Sequence, residues 1–121
     1  FKRGLAAYLV AARVAEHLLG LGQRVMIEAC NAEAEGREVW RDLGRRCEVN
    51  PLWIEVRCRD VREHRRRLES RAAGYPGVDE PTWQAVQARA SGLAGWDEPR
   101  LVLDTSRDLD GNIGRVVSRL R

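Results

Sequence analysis

The residues best equipped for chemistry crowd into one stretch. Arg57 to Arg71 (RCRDVREHRRRLESR) holds seven arginines against Asp60, Glu63 and Glu69, a local excess of four that exceeds the net charge of +3 on the whole 121-residue chain. Read as a helix, the segment places Glu63 and Arg67 at the spacing of a surface ion pair and puts Arg67 and Arg71 on one face. Two guanidinium groups on one face repel each other unless an anion lies between them. A polyphosphate makes them a clamp, because guanidinium forks match phosphate oxygens in two-pronged geometry. The bland alternative is a solvated charged face.

A second group lies in Arg24 to Asn31 (RVMIEACN). Val25 to Ala29 is apolar except for Glu28, bounded by Gly20-Leu21-Gly22 and by Asn31, and reads as a short buried strand. A strand apolar on both faces suits a parallel sheet covered by helices. Glu28 and Asn31 then fall at its carboxyl end, where open parallel sheets bind their ligands.

The elements that position these groups follow from pattern. A helix is expected from about Gly4 to Leu19 and another from Ala32 to Arg46, with Asn31 as its N-cap. Leu52 to Cys58 alternates and reads as a second strand. Asp60 caps a helix to about Arg71, and the breakers at residues 73–77 form a loop. A helix after Asp79-Glu80-Pro81 reaches about Ala90. Leu101-Val102-Leu103 is a third strand ending in Asp104-Thr105-Ser106, and a helix closes the chain from about Leu109 to Arg121. Strands alternating with helical segments imply an α/β fold, three layers (α/β/α) with a parallel sheet, as one domain over residues 1–121. The three polar strand ends then share one rim.

Composition narrows the setting. The basic residues are almost all arginine, with Lys2 the single lysine, which a biased source composition explains. Cys30, Cys47 and Cys58 form no CxxC or Cys/His cluster, which suits a reduced, cytoplasmic setting, and Cys30 reads as a buried thiol rather than a nucleophile. Leu5 to Ala15 is interrupted by Arg13 and too short to span a bilayer, so no membrane partner is expected. His17 and His64 lack a second ligand at metal spacing and read as surface or structural groups, so no metal site is expected. The four tryptophans read as packing residues rather than a stacking platform, with Trp96 the best candidate for a ligand contact. Basic residues are not interleaved with aromatics, which disfavours a nucleic-acid module. An exposed strand edge leaves a homo-oligomer open.

Taken together, RVMIEACN, then EGREVWRDLGRR with Arg37 and Trp40, then LWIEVRC, DVREHRRRLESR, a Trp83 and Trp96 segment and PRLVLDT resemble P-loop kinases of the polynucleotide-kinase and gluconate-kinase-like group. The resemblance covers nearly the whole chain. It implies an ATP-binding phosphotransferase domain in which Arg67 and Arg71 sit on a lid helix (about residues 60–71) and touch ATP phosphates. It also implies that Glu28, Asn31 and Arg37 face the phosphate acceptor, a small molecule or a nucleic-acid end.

The departures carry more weight than the matches. The aspartate of the family strand is Glu28 here and its threonine is Cys30. No GxxxxGK[ST] is present, so the lysine and hydroxyl that hold phosphates and magnesium are missing. The expectation is a piece of a longer kinase, its phosphate-loop strand and acceptor-activating acid lying before Phe1 and one strand missing between the first two seen. ATP and magnesium then belong to the intact parent and bind this chain only weakly. The alternative is a non-catalytic, degenerate kinase-like module that binds an anion or a protein partner.

Overall fold

The computed structural model describes residues 2–71 and 79–121, with side chains from residue 4 onward; the expected loop at residues 73–77 lies outside the described residues. The chain is a mixed α/β protein with five helices and one two-stranded parallel sheet among the described residues. It divides into two compact units, Phe1–Pro51 with Ala88–Trp96, and Leu52–Gln87 with Asp97–Arg121.

The first unit is built on α1 (Lys2–Gly20) and α2 (Ala34–Cys47). Ala12 and Ala15, each 2% exposed, give α1 a small-residue stripe on its buried side, while Trp40 and Leu43 supply the bulk from α2. Tyr8 stacks on Trp40 with ring centroids 5.2 Å apart. Gly36 is required at this contact, because a Cβ there would lie 2.7 Å from Cε1 of Tyr8. The Nε of Arg46 reaches Oε1 of Glu16 at 3.1 Å and adds an exposed link from α2 to α1. Gly22, at φ +73°, ends α1 in the left-handed turn that glycine adopts freely, with Gln23 N–H returning to the Leu18 carbonyl.

Residues 24–31 form no strand, which corrects the expectation for RVMIEACN. A strand is completed by its neighbour's hydrogen bonds, and among the described residues the only ladder joins the two later strands. Nor is the run buried, since Met26 is 95% exposed. Asn31 is not the N-cap of α2 either. It takes φ +52°, and Glu33 stands at the cap position with no side-chain cap bond.

The second unit holds β1 (Ile54–Arg57), α3 (Val61–Glu69), β2 (Leu101–Asp104), α5 (Leu109–Leu120) and the start of α4 (Trp83–Gly92). The strands run parallel in the register Ile54↔Leu101 to Arg57↔Asp104. Leu101 and Leu103 are buried, whereas on β1 the buried residue is Glu55 and Val56 is exposed. Glu55 tolerates burial because Arg100 Nε donates to its Oε2 at 2.6 Å and Arg57 stands 3.6 Å from Oε1. Asp60 caps α3 as expected, accepting from Arg62 and Glu63 N–H at 3.0 and 3.1 Å. No helix among the described residues is long and apolar enough to cross a membrane.

Candidate functional site

In the first unit the structure joins two of the three expected acceptor-side residues. Arg37 Nη1 donates to the carbonyls of Asn31 (2.8 Å) and Ala32 (3.0 Å). The Asn31 N–H donates to the Tyr8 hydroxyl at 3.1 Å, and its side-chain oxygen accepts from Trp40 Nε1 at 2.8 Å. The left-handed backbone at Asn31 is therefore held from three sides. Glu28, the third expected residue, is exposed on the irregular segment. Cys30, expected buried, is exposed as well, because its segment does not enter a sheet. Sequence reasoning missed Tyr8; its signal was a hydroxyl-bearing ring among apolar helix positions, since a buried tyrosine usually finds a partner for its oxygen.

Arg37 is the unusual group in this network. It is 5% exposed, no carboxylate among the described residues pairs with it, and its Nε has no hydrogen-bond partner. Burying a lone cation costs several kcal/mol. Charge-assisted bonds to two carbonyls return about 1.5–3 kcal/mol each. The guanidinium carbon lies 5.5 Å from the centroid of the Trp96 ring, a contact worth about 0.5–2 kcal/mol. Trp96, the loop residue the sequence offered for a ligand contact, thus lies against this cation. It is 5% exposed and belongs to the packing around Arg37.

In the second unit Arg67 reaches the carboxyl end of the parallel pair. Its Nη2 donates to the Thr105 carbonyl at 3.1 Å and its Nη1 to the Thr105 hydroxyl at 3.3 Å. Thr105 directly follows β2, and its N–H continues the ladder to the Arg57 carbonyl at 2.8 Å. Next to it, Asp104 Oδ1 accepts from the Ser106 hydroxyl (2.6 Å), the Ser106 N–H (3.0 Å) and the Arg59 N–H (3.1 Å). These donors, the Ser106 hydroxyl foremost, hold the Asp104 carboxyl down at about 2.

The expected Glu63–Arg67 pair is present, with Nε 2.6 Å from Oε1. Arg66 grips the same carboxylate with two bonds of 2.8 Å. Arg66 first and Arg67 second keep Glu63 at about 2. Arg67 and Arg71 do not share a face of α3, as the spacing had suggested, because the helix ends before Arg71. Ser70 ends α3, its N–H donating to the Arg66 carbonyl and its hydroxyl to the Arg67 carbonyl. Arg71 lies beyond that cap, 3.8 Å from Glu80. An open groove of about 420 Å³ beside α3 is lined by Arg62, Arg65, Arg66, Glu69 and Ser70, and neither Arg67 nor Thr105 borders it.

His64 meets Trp83 edge-on at 5.2 Å, a packing contact rather than a ligand arrangement. Among the described residues no three His, Cys, Asp or Glu side chains are grouped to hold a metal ion. No family model matches the chain, and neither curated proteins nor solved structures yield a match.

Proposed function

We propose that this chain is a P-loop kinase-like, ATP-binding domain serving an ATP-dependent phosphotransferase, whose acceptor is a small molecule or a nucleic-acid end. In this reading β1 and β2 belong to a parallel sheet of three-layer α/β/α type, and their carboxyl rim faces the nucleotide. The observation that carries the reading is the Arg67 guanidinium resting on Thr105, at the carboxyl end of a parallel strand pair. That rim is where open parallel sheets bind ligands.

The chemistry asked of Arg67 is electrostatic. Phosphoryl transfer depends on positioning and on neutralising charge at the phosphoryl oxygens, and a planar guanidinium fork suits both. Arg71, past the end of α3, supplies a second cation from the same segment. Glu28, Asn31 and Arg37 serve the acceptor. Were magnesium bound together with ATP, it would supply further charge neutralisation beside these arginines. The residues that would meet the polyphosphate are Arg67 and Arg71, and no His, Cys, Asp or Glu group among the described residues is assembled to hold the cation.

A non-catalytic module that binds an anion is the second reading. It is favoured by one sequence fact, the lack of GxxxxGK[ST]. Calorimetric titration with magnesium-ATP and with tripolyphosphate tests both. A weak, saturable ATP isotherm that loses about tenfold in affinity in Arg67→Ala supports the kinase-like reading. Equal binding of ATP by wild type and Arg67→Ala overturns the assignment of Arg67. Tripolyphosphate binding as strongly as ATP supports the anion module.

A further inference from the structure

We infer that the Nε/Nη2 edge of Arg37 is a binding edge for an oxyanion, phosphate or carboxylate, carried by the acceptor substrate. The inference rests on reading Asn31 and Arg37 as the acceptor side. Its ground is an imbalance in the structure: Arg37 is 5% exposed, has no carboxylate partner among the described residues, and leaves Nε without a hydrogen bond.

The geometry selects one edge of the guanidinium. Nη1 is saturated by the carbonyls of Asn31 and Ala32. The Trp96 ring lies over the guanidinium at 5.5 Å. Stacking on a ring uses the face of the cation, and on the edge away from the two carbonyls the buried Nε has no hydrogen-bond partner; that edge carries two parallel N–H bonds, of Nε and Nη2. Two parallel donors in one plane match two oxygens of a carboxylate or a phosphate. An ammonium group offers a point charge instead, so the site is specific to arginine. The fixed left-handed turn at Asn31 presents its carbonyl to Nη1 and so sets the plane in which the free edge lies.

The test reads the Arg37 Nε–Hε signal of the full chain in proton–nitrogen spectra, assigned through its proximity to the Trp96 ring, which needs no variant. Inorganic phosphate and acetate are titrated separately, each against sodium chloride at matched ionic strength. A saturable shift in the millimolar range with phosphate above acetate assigns a phosphate-bearing acceptor; the reverse order assigns a carboxylate-bearing one. Both outcomes support the site. An unmoved signal with both anions, or an equal response to chloride, overturns it. Repeating the titration in Arg67→Ala separates the two ideas. A shift that persists there while magnesium-ATP fails to bind the wild type keeps the oxyanion edge and removes the kinase reading.

Discussion

Arg67 is shared between two partners: its Nε binds Glu63 Oε1 at 2.6 Å while its Nη atoms hold Thr105 at 3.1 and 3.3 Å. A phosphate that engages Arg67 must compete with that carboxylate. Glu63→Gln removes the competing charge and leaves the fork on Thr105. The expected result is a several-fold gain in magnesium-ATP affinity by calorimetry. Unchanged or weaker binding in Glu63→Gln argues that Arg67 does not meet the ligand.

The lowered acids give the protein an acid limit. Asp104 sits at about 2 against an ordinary 3.8, and Glu63 at about 2 against 4.5. Because both values are depressed on folding, their stabilisation is present above the unfolded values and is lost as pH falls toward about 2. Denaturant unfolding followed from about pH 5 to 2 should show falling stability. Asp104→Asn should flatten part of that slope and leave the share of Glu63. An identical slope in wild type and Asp104→Asn contradicts the hydrogen-bonding picture at the rim.

The α1–α2 contact depends on a missing side chain. A Cβ at Gly36 meets a Tyr8 ring already fixed by Trp40 and by the Asn31 N–H. Gly36→Ala is expected to cost about 1–3 kcal/mol, the range for overpacking a filled contact. Thermal unfolding that matches wild type rules out this tight approach.

Asn31 combines a backbone and a side-chain role, and two substitutions separate them. Asn31→Gly keeps access to the left-handed backbone and loses only the bond to Trp40, a net change of about 0.5–1.5 kcal/mol. Asn31→Ala adds the left-handed strain of a residue with a Cβ, about 1–2 kcal/mol more. Equal unfolding midpoints for the two variants contradict the φ of +52° at this position.

What the sequence disclosed depended on whether a signal was local. Asp60 before an arginine-rich helix was legible because a cap is settled by its own neighbours, and the structure gives it both cap bonds. Leu101–Leu103 was legible as a strand because its run is short and bounded, and it pairs in parallel with β1. Val25–Ala29 looked similar, yet a strand requires a partner that pattern alone does not supply. Arg71 was misplaced because the cap formed by Ser70 depends on hydroxyl and carbonyl geometry that helical spacing does not register. The burial of Arg37 against Trp96 joins residues far apart in the chain and left no periodic trace.

The most direct test of the central claim is the phosphorus spectrum of magnesium-ATP with increasing protein. The account predicts that the β- and γ-phosphate signals shift or broaden with wild type and remain near their free positions with Arg67→Ala. Phosphate signals that respond identically to both proteins, or to neither, contradict it.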